Sequence, residues 1–165
     1  MHIHFITTGG TIDKLYFDAK SEYQVGSPQV MSLLQELELA FLYTIEPLIA
    51  KDSLELTDED RALIRERVVA APSDHVIITH GTDTMVDTAK VLHDVTGKTI
   101  VLTGAMQPAR FHRSDAVFNV GVSIGAVSAL PQGVYLCMNG KIFHPDRVRK
   151  NRDVGRFEEI HPPTS

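Results

Sequence analysis

Short apolar runs alternate along the chain with longer segments whose apolar residues recur every three or four positions. Five short runs are rich in β-branched residues and predict β-strands. They cover residues 3–7, 43–49, 75–79, 99–103 and 133–138. Pro47 favours an edge position or a bulge for the second run. The continuous apolar centre of the third run is typical of a buried parallel strand.

Four segments show helical periodicity. Their apolar stripes are Val30, Leu33, Leu34, Leu37 and Phe41; Leu63, Ile64 and Val68; Met85, Ala89 and Leu92; and Val117, Val120, Ile124 and Val127. Pro28 suits the first turn of the first helix. Thr57, followed by three acidic residues, predicts the N-cap of the second. Residues 12–27 and 104–114 show no hydrophobic periodicity and predict two loops. A long loop beside a sheet is often a lid, and this is the role expected of residues 12–27.

The resulting order of elements predicts an α/β fold of three layers, with helices on both faces of a largely parallel sheet. A chain of 165 residues is expected to form one domain, residues 1–165. After the last predicted strand the chain becomes polar and basic. We expect the tail beyond about residue 155 to be mobile. Residues 162–165 predict a disordered end or the start of a linker.

Composition narrows the function classes. The chain is 43% hydrophobic and 22% charged, as globular proteins are, and its net charge of -5 argues against nucleic-acid binding. The short basic cluster Arg147, Arg149, Lys150 and Arg152 predicts a solvated surface loop. No segment resembles a signal peptide or a membrane span, so we expect a cytoplasmic protein with no membrane partner. Cys137, the single cysteine, predicts a buried apolar side chain rather than a disulfide or zinc ligand.

Two threonine-bearing turns follow predicted strands: Thr-Gly-Gly-Thr at residues 8–11 and His-Gly-Thr-Asp-Thr at residues 80–84. In an open parallel sheet, ligands bind beyond the carboxyl ends of the strands. A threonine hydroxyl becomes a nucleophile only beside a proton acceptor and donors for the developing oxyanion. Glycines at positions 9, 10, 81 and 104 allow backbone N–H groups to approach a ligand closely. The turns therefore predict a place that attacks or holds a small polar molecule.

Other interpretations stay open at this point. Thr82 and Asp83 could cap the helix that follows them. Gly9 and Gly10 could form a tight connection or a phosphate cradle, although the lysine of a P-loop and the dinucleotide fingerprint are missing. His2 and His4 share one face of a strand and could bind metal, but without a third ligand packed or surface histidines are favoured.

Taken in order, several segments resemble the N-terminal domain of the bacterial-type L-asparaginase/glutaminase family. The matching stretches are TTGGTI at 7–12, SEYQVG at 21–26, ITHGTDTM at 78–85 and TGAMQP at 103–108, followed by Ser114-Asp115-Ala116, Asn119 and the stretch around Lys150. Each Gly-Thr turn alone is a weak signal, but the ordered set is specific and spans nearly the whole chain. The resemblance implies the Rossmann/flavodoxin-like fold of that domain.

The resemblance also implies catalytic roles. Thr11 would be the nucleophile that attacks the side-chain amide carbonyl and releases ammonia, and Tyr23 would activate it from the mobile loop. Thr82, Asp83 and Lys150 would form the second catalytic group, with Lys150 hydrogen-bonded toward Thr82. Asp83 would also bind the α-amino group of the substrate.

The substrate-binding positions follow in the same way. Ser53 aligns with the serine that holds the α-carboxylate, and the backbone at Gly10, Gly81 and Ala105 would line the pocket. The implied reaction converts L-asparagine to L-aspartate and ammonia through an acyl-enzyme, with no metal or cofactor. The alternatives are a catalytically weak relative that binds a small amino acid as a sensor or interaction module, and a phosphate- or nucleotide-binding domain.

Two departures from the family pattern affect these expectations. Better-known members carry a C-terminal domain that supplies an acidic residue to a neighbouring subunit, and these 165 residues hold no such domain. Leu54 stands where many members have a polar residue beside the serine. We therefore expect weaker substrate anchoring, and a homodimer or larger homo-oligomer that covers the exposed surface.

Overall fold

The computed structural model of the protein describes residues 1–160. The strands, in chain order, are β1 (His2–Gly9), β2 (Lys14–Phe17), β3 (Glu22–Val25), β4 (Leu42–Lys51), β5 (His75–Thr79), β6 (Thr99–Thr103), β7 (Gly133–Met138), β8 (Lys141–Phe143), β9 (Val148–Asn151) and β10 (Arg156–Glu159). The α-helices are α1 (Gln29–Gln35), α2 (Asp58–Ala70), α3 (Met85–Val91) and α4 (Ala116–Ala129).

A six-stranded sheet of order β4-β1-β5-β6-β7-β8 forms the centre of the fold. Its strands pair in parallel except for β8, which runs antiparallel to β7. The five strands predicted from apolar runs are all present, and each is part of this sheet. β4 lies at the edge, and its pairing with β1 is irregular just beyond the Thr7–Pro47 pair, as the proline predicted.

Both faces of the sheet are covered, which confirms the predicted three layers. Ile6, Val76 and Ile78 pack with residues of α2 and α3 on one face. Phe5 and Ile77, at the alternate positions of β1 and β5, pack with residues of α1 and α4 on the other. Because successive side chains of a strand point to opposite faces, strands buried on both sides are apolar throughout.

The predicted helices begin close to the expected residues, but some of them end earlier than predicted. Thr57 forms a capping box with Asp60 at the start of α2, as predicted. The first predicted stripe runs to Phe41, but α1 ends at Gln35 and Leu37 is exposed. In α4 the polar residues Asn119 and Ser123 are buried while Val117 is exposed. Their hydrogen bonds to backbone carbonyls allow this burial.

The predicted loop at residues 12–27 is wrong, because β2 and β3 form an antiparallel hairpin there, with Tyr16 paired to Tyr23. Ser21 turns the chain in the left-handed region, with a φ of 50°. Tyr16, Phe17 and Tyr23 are all exposed. Neither face of these two strands is strongly buried, so their sequence has no alternating apolar pattern. The sequence therefore did not predict this hairpin.

The region after β7 also differs from the prediction. β8 returns on β7 through Asn139 and Gly140, both at positive φ, and β9 pairs with β10. The basic cluster therefore includes a strand rather than forming only a surface loop. Within the tail expected to be mobile beyond residue 155, residues 156–159 form β10, and its Phe157 is buried in the core. The predicted disordered end at 162–165 lies outside the described residues.

Two further observations bear on the composition-based expectations. Cys137 is fully buried in β7, and burial raises the pKa of its thiol to about 11, so it is an inert apolar side chain, as predicted. Among residues 1–160, no helix is both long and apolar enough to cross a membrane.

Candidate active site

Three turns meet at the carboxyl ends of β1, β4 and β5. Gly10 adopts a φ of +88°, and a Cβ added to it would clash with the Cα of Gly81. A Cβ added to Gly81 would in turn clash with the side chain of Ser53. The backbones therefore approach as closely as only glycine permits. This contact brings together the turns that carry Thr11, Ser53 and Thr82.

Lys150 on β9 reaches across to the second of these turns. Its Nζ donates hydrogen bonds of 2.7 Å to Thr82 Oγ1 and 2.9 Å to Asp83 Oδ1. Arg152 places a guanidinium nitrogen 3.4 Å from the same Asp83 oxygen. An ammonium at this distance favours negative charge on the threonine oxygen. The geometry is suited to polarising or deprotonating a hydroxyl.

Thr82 and Asp83 do not cap α3, in contrast to the simpler interpretation of this turn. The N-cap of α3 is Thr84, and no side chain forms a capping hydrogen bond there. The Thr84 hydroxyl instead donates to the Ser53 backbone carbonyl at 2.7 Å, which links the turns that carry Ser53 and Thr82. The two side chains that precede Thr84 therefore face Lys150.

Within residues 1–160, neither Thr11 nor Tyr23 is part of this hydrogen-bonded group. Thr11 begins a 3-10 turn directly after Gly10, and no residue of the range 1–160 forms a hydrogen bond with its hydroxyl. The Tyr23 ring packs on Tyr16 and Phe111, with centroid separations of 5.2 and 5.9 Å. The structure thus brings Lys150 to Thr82 and Asp83 but forms no hydrogen bond between Tyr23 and Thr11.

A cavity of about 650 Å³ opens between the β2–β3 hairpin and the turns. Two of the predicted site residues, Tyr23 and Asp83, line it together with Lys14 and with Asp52 and Leu54, which flank Ser53. Its walls are rich in charged and polar side chains, so its chemistry suits a small polar ligand.

Ala105 does not present its side chain to this cavity. It is buried in the apolar cluster that includes Ala116 and Val120 of α4. A Cβ at the preceding Gly104 would clash with the His80 carbonyl oxygen. The backbone around Gly104 and Ala105 therefore packs directly behind the turn at residues 80–84.

His80 is a buried support of that turn which the sequence did not single out. Its Nδ1 lies 2.7 Å from the Gly81 carbonyl oxygen and its Nε2 lies 2.8 Å from the Thr88 hydroxyl. Burial lowers the His80 pKa to about 4, although the hydrogen bond to Gly81 opposes the shift. The ring is therefore neutral, with Nδ1 donating and Nε2 accepting. It joins the turn to α3 without adding charge to the crevice.

Asp13 is a second residue that sequence reasoning missed. Its carboxylate accepts a hydrogen bond from the Gln29 backbone at 2.8 Å, and its carbonyl accepts one from Gly26 at 2.8 Å. Asp13 thus joins both ends of the hairpin to the start of α1, two residues after Thr11. Burial raises its pKa to about 7, against the opposing effect of the Gln29 hydrogen bond. An acidic residue directly after an apolar Ile12 was the only available signal.

Replacing Asp13 by asparagine is expected to remove a pH dependence of stability. Folding raises this pKa from 3.8 to about 7, so the carboxyl stabilises the folded state at low pH and that contribution is lost as pH rises through about 7. The free energy of unfolding of Asp13→Asn, relative to wild type, should therefore increase by about 3 kcal/mol between about pH 5 and pH 8. Urea unfolding at the two pH values measures this. Asp18→Asn, an exposed site in the same hairpin, should show no increase, and equal behaviour of both variants would contradict the assignment.

The histidine pair considered as a metal site has other partners. His2 and His4 both contact the Thr44 hydroxyl, at 3.0 and 2.7 Å, and His4 also contacts Glu46 at 3.1 Å. Over the part of the chain that the structure describes, no group of three or more His, Cys, Asp or Glu side chains is arranged to hold a metal ion.

Comparison with known proteins finds relatives that match nearly the whole chain. The chain is 31% identical over 169 residues to the glutaminase-asparaginase of Acinetobacter glutaminasificans. The matched region covers 93% of this chain and 50% of that protein. It superposes with the thermostable L-asparaginase from Thermococcus kodakarensis with a TM-score of 0.86 and 27% identity, over 99% of this chain and 52% of that one. It also superposes with the probable cytoplasmic L-asparaginase from Campylobacter jejuni, with a TM-score of 0.83 and 28% identity, over 96% of this chain and 53% of that one.

These relatives extend beyond the matched region, since the chain spans about half the length of the curated proteins it matches. The family model described as "Asparaginase, N-terminal" matches residues 2–161, almost the entire chain. The protein therefore belongs to the asparaginase family, with its residues corresponding to the N-terminal domain of that family.

Proposed function

We propose that the protein is an amidohydrolase that converts L-asparagine to L-aspartate and ammonia, with Thr11 as nucleophile and no cofactor. The observation that carries the proposal is the contact of Lys150 Nζ with both Thr82 and Asp83, on the turn that packs against Gly10, the residue before Thr11. Membership of the asparaginase family supports the reaction class.

The chemistry begins with attack of Thr11 Oγ1 on the side-chain amide carbon. The threonine proton passes to a neighbouring acceptor, for which Tyr23 and the Thr82–Lys150 pair are the candidates. Collapse of the tetrahedral intermediate breaks the C–N bond, and the departing nitrogen takes a proton to leave as ammonia. Water then attacks the ester on Thr11, which releases aspartate and returns a proton to the hydroxyl.

The same site offers groups for the two ends of asparagine. Asp83 Oδ1 already contacts Lys150 and Arg152, so its second oxygen is the natural partner for the α-ammonium group. Ser53, at the contact between the turns, is our candidate for the α-carboxylate. Leu54 beside it is exposed and has no polar group, consistent with the weak anchoring expected from the sequence.

Steady-state ammonia release tests the proposal. Asparagine, glutamine and succinamic acid, which is asparagine without the amino group, are compared as substrates. We expect asparagine to be hydrolysed, and succinamic acid more slowly because Asp83 has no ammonium partner. Glutamine preference is decided by the same assay. Ammonia release from none of the three would contradict the proposed function.

The second candidate is a module that binds a small amino acid without turnover. The packing of the Tyr23 ring on Tyr16 and Phe111, without a hydrogen bond to Thr11 among residues 1–160, favours it. Calorimetry that detects asparagine binding in the absence of ammonia release would support this module over the enzyme.

We also expect the protein to form a homodimer or larger homo-oligomer. Val117 and Phe118 of α4 and Ile142 of β8 are exposed apolar residues, and apolar surface of this kind is commonly covered by a partner. Light scattering at micromolar concentration is expected to give at least twice the mass of 18.3 kDa. A monomer mass would contradict this.

A cytoplasmic location is also proposed, supported by the description of the Campylobacter jejuni relative as a probable cytoplasmic L-asparaginase.

A further inference from the structure

Asp13 lies at the point where three segments of the chain meet. Its backbone N–H donates to the Gly10 carbonyl at 3.1 Å, and its carbonyl accepts a hydrogen bond from the Gly26 N–H at 2.8 Å. Its carboxylate Oδ1 accepts one from the Gln29 N–H at 2.8 Å. The residue is only 1% exposed. Asp13 therefore joins the turn before Thr11 to the end of the β2–β3 hairpin and to the start of α1.

Contacts farther along the hairpin are nearer to solvent. Lys14 Nζ lies 2.7 Å from Asp52 Oδ2, and the two side chains are 28% and 30% exposed. The Tyr23 ring meets that of Phe111, and both residues are exposed. An ion pair in contact with water stabilises a fold by about 1 kcal/mol or less. The buried hydrogen bonds of Asp13 are therefore the main polar tie between the hairpin and the rest of the fold.

The surroundings of Asp13 are largely apolar. It lines a small cavity of about 140 Å³ between the hairpin base and β4, together with Gly26, Pro28 and residues 47–50. Residues 47–50 are Pro-Leu-Ile-Ala, so β4 contributes no polar side chain here. An ionised carboxylate in such a place loses hydration that the single Gln29 donor does not replace. Burial accordingly raises the Asp13 pKa to about 7.

The charged side chains on the segments around Asp13 have other partners. These pairs are Lys14 with Asp52, Lys51 with Asp60, and Arg110 with the Gln29 side chain. The pKa shift of Asp13 has two causes, burial and the opposing hydrogen bond from the Gln29 backbone, and neither is a neighbouring charge. Ionisation of Asp13 is therefore relieved by contact with water, which requires the hairpin base to open.

We propose that Asp13 is a positioning residue that acts through Tyr23, as a pH-sensitive hinge of the β2–β3 hairpin. With the carboxyl neutral, the hairpin base stays packed against β4 and α1, and the hairpin keeps Tyr23 at the site. With the carboxyl ionised, the base opens and water reaches Asp13. The role of Tyr23 rests on the proposed function, to which the hinge adds regulation of the same site by pH.

The direction and size of the effect follow from linkage. The Asp13 pKa is about 7 in the closed state, whereas a hairpin that opens to water restores the ordinary value of 3.8. The closed state is therefore favoured most below pH 3.8, and this advantage is lost progressively as pH rises to about 7. Between about pH 5 and pH 8, the equilibrium constant for opening should rise about a hundredfold.

Amide hydrogen exchange at Gly26 and Gln29 measures the opening, because both amides donate to Asp13. After correction for intrinsic exchange rates, the protection of both amides should fall about a hundredfold between about pH 5 and pH 8 in wild type. Asp13→Asn keeps an acceptor for Gln29 but cannot ionise, so its protection should stay constant. Asp18→Asn, an exposed site in the same hairpin, is the matched control and should follow wild type.

Ile77, in the buried centre of β5, is the reference for global unfolding. Gly26 and Gln29 should be less protected than Ile77 at every pH, as local opening requires. If their protection is independent of pH while that of Ile77 falls, Asp13 contributes only to global stability and the hinge is wrong. Equal protection at all three positions would also overturn it, since the hairpin would then open only with the whole domain.

Kinetics show whether the hinge acts through Tyr23. The ratio of kcat for asparagine in Asp13→Asn to that in wild type should rise as pH increases to about 7 and then level off. In a Tyr23→Phe background the same ratio should be independent of pH. A ratio that is constant in both backgrounds would overturn the positioning role. If wild type releases no ammonia but Gly26 and Gln29 show the expected exchange, the enzyme assignment fails and the hinge stands.

Discussion

Replacement of Thr11 by alanine is expected to lower kcat/KM for asparagine at least about a thousandfold. The reason is chemical, because the proposed acyl-enzyme cannot form without the hydroxyl. The backbone of the turn is set by Gly9 and Gly10, both at positive φ, and by the hydrogen bond from Gly10 N to the Lys51 carbonyl. Removing the hydroxyl leaves these features intact, so the variant should fold.

Ammonia release measures this loss, and thermal unfolding shows that the variant is folded. Thr96→Ala is the matched control, since Thr96 is exposed and follows α3, away from the crevice. The control should keep wild-type activity. Activity of Thr11→Ala within about tenfold of wild type would exclude Thr11 as the nucleophile.

Replacement of Lys150 by methionine is expected to lower kcat/KM at least about a hundredfold. The variant loses the donors to Thr82 and Asp83 at 2.7 and 2.9 Å, and with them the charge that favours a deprotonated Thr82. Arg149→Met is a matched control, because Arg149 is the neighbouring residue on β9 and is 66% exposed. This control should retain activity close to that of wild type.

A double-mutant cycle separates the shared role of the pair from general damage. Thr82→Val alone should cause a loss similar to that of Lys150→Met, and the double variant should lose little more, because the two side chains act as one unit. Additive losses would indicate independent roles. Full activity of Lys150→Met would contradict the assignment of the Lys150–Thr82 pair.

The strands of the main sheet that are buried on both faces were predictable, because burial requires continuous apolar runs such as residues 75–79 and 99–103. The hairpin at residues 14–25 was not, since its aromatic residues are exposed and no face is consistently apolar. β9 and β10 were hidden by their charged residues, and only Val148 and Phe157 anchor them in the core. The Asn139-Gly140 pair was the available signal for the return of β8.

The candidate site was partly predictable for a similar reason. The glycines and threonines of the two turns lie at the ends of recognisable strands, and so their proximity follows from the parallel sheet. Lys150 is 68 positions from Thr82, and no local spacing connects them; the ordered family resemblance pointed to it. Asp13 and Lys14 resemble ordinary loop charges in the sequence. Only the three-dimensional structure shows that one is buried at the hairpin base and the other borders the cavity.

Trapping by hydroxylamine is the sharpest test of acyl transfer through Thr11. An ester between Thr11 and the aspartyl group would be attacked by hydroxylamine as well as by water, which yields aspartyl β-hydroxamate. We predict that wild type forms the hydroxamate from asparagine in proportion to added hydroxylamine, while Thr11→Ala forms neither hydroxamate nor ammonia. Release of ammonia by wild type without any hydroxamate, or hydroxamate formation by Thr11→Ala, would exclude an acyl-enzyme on Thr11.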